Sequence, residues 1–194
     1  LHTVPSMTGL EELHFPLPYG RLEAFYTSGG LSTLTRTLRN RVRILDYKTI
    51  RYPGHCEKFK VLLDLGFATA EPMVIGGGIR TARGLFTELL KRKLNSTGPD
   101  LVLARATLKG TKNGQKQTLV YECVDVYDEK TRMSAMMRTT AFPTSVAALA
   151  LAAGTVTTRG VFPPEECIPG DLMITELQRR GITITTQLSH EGTP

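Results

Sequence analysis

YKTIRYPGHCEKFKVLLDL, residues Tyr47 to Leu65, decides how the chain is read. It starts as a strand, stops at Pro53-Gly54 and passes at once into an amphipathic helix. Pro53 has no amide hydrogen for a sheet ladder, and Gly54 reaches backbone angles that other residues avoid, so strand pairing should end there. From about His55 to Leu65 the spacing puts Cys56, Phe59, Leu62 and Leu63 on one helical face, and Gly66 closes the helix. The turn leaves Arg51, Tyr52 and His55 together at one strand end. A fixed cation, a phenol and an imidazole beside a helix N-terminus can grip a carboxylate or handle a proton. The same residues allow a plainer reading, in which Arg51 pairs with a neighbouring acid, Tyr52 packs and His55 caps the helix.

Working outward, Leu1 to Gly20 is rich in Pro and Gly and reads as an irregular arm with at most one short strand. Leu22 to Thr27 reads as a strand that runs into Ser28-Gly29-Gly30. Ser32 and Thr33 are natural caps for a helical turn over Ser32 to Leu38, and Val42 to Tyr52 alternates as a long strand. Downstream, Gly76-Gly77-Gly78 lacks the G-x-G-x-x-G spacing of a dinucleotide loop and reads as a linker. Ile79 to Leu94 follows as a helix with Ala82, Phe86, Leu89 and Leu90 inward.

Val102, Ala104, Ala106 and Leu108 alternate with outward neighbours, and Lys112-Asn113-Gly114 is a hairpin signal. Thr118 to Tyr127 is the returning strand, Asp128 to Thr131 a turn, and Met133 to Thr139 a third strand. In such a meander one face is commonly buried by helices while the other stays free for a partner. Arg138-Thr139-Thr140 then stands at a strand end, either as a site or as the cap of a helix from Phe142-Pro143 to about Ala153. Gly154 stops that helix. Pro163 to Glu166 makes a helical turn, and a second helix runs from Pro169-Gly170-Asp171 to Arg180 with Asp171 as its cap. Gly181 ends it, and Ile182 to Leu188 alternates as a last strand.

A chain of 194 residues with 41% hydrophobic and 22% charged residues suits one domain, or one domain plus an extension. The net charge of +6 comes from scattered Lys and Arg, and the run Lys91-Arg92-Lys93 sits at a helix end where cations favour the dipole. Without clustered basic stripes or any Trp, nucleic-acid binding is not expected. Cys56, Cys123 and Cys167 lie in no metal-ligand spacing, so no metal is expected. Their odd number, with no signal peptide, points to reduced thiols and a cytoplasmic protein. No apolar run reaches the ~20 residues of a membrane span. The chain starts at Leu1, not Met, and further sequence upstream is expected.

Four strings carry a family resemblance: FYTSGGLSTLTRTL (Phe25 to Leu38), TIRYPGH (Thr49 to His55), MMRTTAFP (Met136 to Pro143) and TTRGVFPPEECIPGD (Thr157 to Asp171). In content and order they resemble the lysine 6-dehydrogenase branch of the saccharopine dehydrogenase-like family. The resemblance implies an α+β fold with an open mixed, largely antiparallel sheet and helices on one face. It implies a substrate-binding and dimerisation domain over residues 1–154. Residues 155–194 would form an extension packing toward a nucleotide-binding domain that this chain lacks. NAD or NADP would be bound mainly by that absent domain, with no cofactor-binding residue here. The partners implied are a small amino-acid substrate and a second copy of the chain, as a homodimer or higher homo-oligomer through the sheet. The chain alone would be inactive.

The reaction implied is oxidative deamination of the ε-amine of L-lysine. Arg51 would clamp the α-carboxylate, with Tyr52 or His55 orienting the substrate and Thr27 and Ser28 bonding the α-amino-acid end. Arg138 and Thr139 are further substrate-binding candidates. Tyr26 stands where the family can carry a His that handles protons, which makes Tyr26 and His55 the catalytic candidates; a phenol titrates much higher than imidazole. A saccharopine dehydrogenase would need a second basic site, for which Arg36, Arg41 or Arg138 could serve. A non-catalytic dimerisation or ligand-binding module is the third reading.

Overall fold

The computed structural model describes residues 2–27, 29–94 and 98–190. The chain divides into two compact units, Leu1–Thr97 and Gly98–Pro194.

The first unit is built on a three-stranded antiparallel sheet of β1 (Glu11–Phe15), β2 (Gly20–Phe25) and β3 (Thr49–Arg51), with β2 in the centre. Leu22, Ala24 and Phe25 of β2 are buried together with Phe15, so the middle strand is apolar on both faces. Glu23 is the one charged residue buried among them. Helix α1 (Leu34–Thr37) is a single turn, and Thr33 at its start gives no side-chain cap. Helix α2 (His55–Asp64) follows β3, and Gly66 ends it in the left-handed region at φ 85°. A hairpin of β4 (Pro72–Ile75) and β5 (Gly78–Thr81) leads into α3 (Ala82–Leu94). Phe86 of α3 meets Phe59 of α2 and Phe67, with ring centroids 6.3 and 5.7 Å apart.

The second unit pairs β6 (Leu101–Lys112) with β7 (Gln115–Val126) and β7 with β8 (Thr183–His190), all antiparallel. Asn113 and Gly114 turn the first hairpin with positive φ at both positions. Helix α4 (Ala135–Ala152), the turn α5 (Pro164–Cys167) and α6 (Gly170–Arg179) complete it. The core gathers Ala135, Val146, Ala150, Val156 and Ile182.

The chain is α+β, as expected. Its strands form three separate antiparallel sheets in place of one open mixed sheet. Val42 to Tyr52 is not a long strand: only Thr49, Ile50 and Arg51 find partners, in Phe25, Ala24 and Glu23. Gly76-Gly77-Gly78 is not a linker; Gly76 and Gly77, both at positive φ, form the tip of the β4–β5 hairpin. Met133 to Thr139 is not a strand. Met133 makes one bridge to Asp128, and from Ala135 the chain is helical.

The reason lies at the helix start. Ser134 Oγ accepts the Met137 amide, and Asp100 accepts the amides of Ala135 and Met136 at 2.7 and 2.9 Å. Partial burial pushes the Asp100 carboxyl up, but these bonds outweigh it and hold its pKa below the usual value. The helix then continues through Pro143. The third strand of this sheet is β8, so residues beyond 154 supply α5, α6 and a paired strand to the second unit. The seam between the compact units falls at Thr97/Gly98. Asp171 lies in the first turn of α6, and the cap position is Pro169.

Candidate functional site

The β3–α2 turn is fixed from β2. Glu23 is paired in register with Arg51, yet its carboxylate bonds to backbone amides of the turn. It accepts the amide of Gly54 at 2.8 Å and that of Cys56 at 2.6 Å. These are among the amides that a helix start leaves without partners. The negative charge also favours the positive end of α2. No side chain of the helix itself caps it, so His55 is not a cap.

The His55 ring instead stacks on Phe59, with centroids 4.3 Å apart and planes 4° apart, and lies 5.9 Å from Phe25. Burial against these rings lowers the His55 pKa below 6.5, and the nearby Arg51 and Lys58 charges push the same way against Glu23. His55 is therefore neutral at pH 7. Arg51 is exposed; its Nη1 donates to Ile50 O, and it makes no ion pair among the described residues. Tyr52 is 61% exposed and does not pack.

Tyr26 follows Phe25 and faces the other way, as alternation along an extended chain requires. Its backbone is held by the N-terminal arm, the Tyr26 amide donating to Thr8 O and the Met7 amide to Tyr26 O. Its hydroxyl donates to Asp46 Oδ2 at 3.0 Å, and Lys48 Nζ stands 5.1 Å from the ring centroid. Lys48 is itself tied to Glu11 at 3.0 Å. The bond to Asp46 raises the Tyr26 pKa, with partial desolvation and the Asp46 and Glu11 charges acting the same way against Lys48. Tyr26 is a phenol, not a phenolate, at neutral pH.

Tyr26 and Thr27 line a cleft of about 1170 Å³ together with Arg36, Arg39, Arg43 and Asp46. Thr27 Oγ1 hydrogen-bonds Thr49 Oγ1 at 2.7 Å, which ties the cleft wall to β3. None of the three arginines has an ion-pair partner among the described residues. The cleft has room for a small ligand, and guanidinium groups suit carboxylates.

The predicted residues thus fall into three places. Tyr26 and Thr27 share the cleft, while Arg51, Tyr52 and His55 share the β3–α2 turn; Ser28 lies outside the described residues. Arg138 and Thr139 are on α4 in the second unit. Arg138 is buried, and its guanidinium is already occupied by Asp125 and Asp128, with Nη2 also donating to Gly181 O at 3.1 Å. Thr139 Oγ1 donates back to Ala135 O within the helix.

Sequence reasoning missed Glu23, Arg39, Arg43 and Asp46. The signal for Glu23 was present: a lone acid inside the apolar run LEAF must have a partner when buried. The cleft residues have no comparable signal, because residues 42–47 alternate like a strand and alternation says nothing of a shared concavity.

No cluster of three or more metal-ligating side chains occurs among the described residues. Gly76-Gly77 is the tip of a hairpin and lacks the spacing of a dinucleotide loop. No helix among the described residues is long and apolar enough to cross a membrane.

Antiparallel sheets in both units and an arginine-lined cleft in the first are thus the features that stand beside the family comparison. Residues 2–182 match the saccharopine dehydrogenase C-terminal domain, and the chain belongs to that family. The family places the chain in an oxidoreductase setting.

Proposed function

We propose that this chain is the substrate-binding and dimerisation part of a cytoplasmic, NAD(P)-dependent oxidoreductase acting on the CH–NH group of lysine, of the L-lysine 6-dehydrogenase type. The nicotinamide cofactor would be held by a separate nucleotide-binding domain, and this chain alone would not turn over. One observation carries the reading: a cleft with unpaired arginines lies in the same unit as a histidine held neutral at pH 7. Oxidation beside an amine requires that amine unprotonated, and a neutral imidazole can accept its proton. The distant α-carboxylate requires a guanidinium, for which Arg51 and the three cleft arginines are the candidates. The raised Tyr26 pKa makes Tyr26 an orienting hydroxyl rather than a base.

A saccharopine substrate is the second reading. It is favoured by the number of arginines in the cleft, because a lysine-derived secondary amine bearing a glutamate half carries extra carboxylates. The assay that tests both is nicotinamide absorbance with a protein that joins this chain to its nucleotide-binding half. Reduction of NAD(P) with lysine and not with saccharopine supports the first reading. Turnover with saccharopine alone supports the second, and no turnover with either overturns both.

A further inference from the structure

The charges lining the cleft are of mixed sign, and the one carboxylate among them is not spent on the arginines. Asp46 shares the cleft with Arg36, Arg39 and Arg43, yet forms an ion pair with none of them. Its Oδ2 takes the Tyr26 hydroxyl instead. That phenol is itself braced. Its strand end is clamped by the arm through Met7 and Thr8, and its ring lies so close to Gly9 that a Cβ there would overlap it. A carboxylate positioned in this way, in one cleft with guanidinium groups that have no ion-pair partner among the described residues, offers a cation and an anion separate seats. A plain dianion would satisfy the arginines but meet Asp46 as a like charge. A simple amine would have Asp46 but face three guanidinium groups. A ligand that carries both an ammonium and a carboxylate, as the head of an amino acid does, satisfies both.

We propose that this cleft seats the charged head of an α-amino acid, its ammonium on Asp46 and its carboxylate on the cleft arginines. The assignment rests on the reading that the substrate is an amino acid, and it moves the carboxylate from Arg51 to the cleft. Asp46 is then a specificity residue: it distinguishes an α-amino acid from the corresponding acid.

The test uses L-norleucine, which has the head and chain length of lysine but no reacting amine, beside hexanoate and hexylamine. Each is titrated into the full chain while backbone amide chemical shifts are followed by NMR. Norleucine is expected to shift the amides of Thr27, Asp46 and Tyr47 and to bind about tenfold or more tightly than either comparison compound. Asp46→Asn, which keeps an acceptor for the Tyr26 hydroxyl, is expected to bring norleucine down to the affinity of hexanoate and leave hexanoate unchanged. Arg43→Met is expected to weaken both.

Equal binding of norleucine and hexanoate overturns the proposal in favour of an ordinary anion cleft. So does an Asp46→Asn variant that binds norleucine unchanged, or norleucine shifts confined to Arg51 through His55. Absence of norleucine binding overturns it as well. Because norleucine cannot be oxidised at the ε position, failure of the dehydrogenase reading in the absorbance assay leaves this result standing. Lysine turnover with no norleucine binding sinks the cleft assignment alone.

Discussion

The carboxylate of Glu23 lies 2.6 Å from the amide nitrogen of Cys56, and so a residue of the central strand caps a helix that begins more than thirty positions later. The same carboxylate takes the Gly54 amide, so one side chain sets the whole turn carrying Arg51, Tyr52 and His55. Glu23→Ala removes two charge-assisted bonds and leaves two helix-start amides without acceptors. It should cost roughly 2–4 kcal/mol in urea unfolding, and Glu23→Gln, which keeps one acceptor, about half of that. The loss of negative charge also lowers the His55 pKa further, a shift NMR reads directly. A His55 pKa that stays in place or rises would detach Glu23 from the histidine.

The pH dependence of stability follows from the His55 environment. Stacking between Phe25 and Phe59 favours the neutral ring, so the folded pKa lies below the ordinary 6.5. Above 6.5 the ring is neutral in both folded and unfolded chains, and its contribution is intact. As pH falls below 6.5 the unfolded chain takes up the proton first, and the contribution is lost through the lowered folded value. His55→Phe keeps the stack and removes the titration. Its urea midpoint should vary less between pH 7 and pH 5 than that of the parent; equal slopes would show that His55 has no part in the acid limb.

What the sequence disclosed depended on whether a local signal was also the deciding one. Asn113-Gly114 and the His55–Leu65 face were legible because turn chemistry and helical spacing are local, and the structure has both. Residues 133–139 misled for two reasons. Pro143 cannot donate to the carbonyl four residues back, so a helix was expected to begin beside it rather than to contain it. The acceptor that starts the helix at Ala135 is Asp100, 35 positions away, which no window reports. Val42 to Tyr52 alternates like a strand but has partners for three residues only, and residues 42–47 line the cleft. Candidate residues gathered by motif were partly assembled by the fold, in the turn and the cleft. Arg138 was not among them, because its guanidinium is already occupied by carboxylates in the second unit.

Arg138 should behave as a structural residue. Its Nε lies 3.0 Å from Asp125 Oδ2 and its Nη1 3.0 Å from Asp128, with both Arg138 and Asp125 buried. Arg138→Met strands the Asp125 charge in the interior, for which the expected loss is about 3–5 kcal/mol. Adding Asp125→Leu should recover a good part of it, since removing both charges costs less than removing one. If Arg138→Met left the unfolding midpoint alone and instead raised KM in the cofactor-bearing protein, the residue would return to the substrate site.

The proposed homodimer would draw on a surface of the second unit. Asp125 of β7 faces Arg138 of α4, so the odd-numbered side chains of β7 share the face on which α4 packs. Farther along that face, toward the Asn113-Gly114 turn, Leu108, Leu119 and Leu188 stand directly opposite one another across the three strands. Leu108 and Leu188 are 53% and 54% exposed. The other face carries Arg105 paired with Glu122, beside Thr185 in register, and this charged pair interrupts its apolar residues. A second copy of the chain laid on the leucine rung would remove it from water, the main driving term for association. Light scattering should therefore find a dimer, and Leu108→Glu with Leu188→Glu should convert it to a folded monomer with an unchanged circular dichroism spectrum. A dimer that survives both charges would place the contact elsewhere, and a parent chain that is monomeric throughout would remove the sheet from assembly.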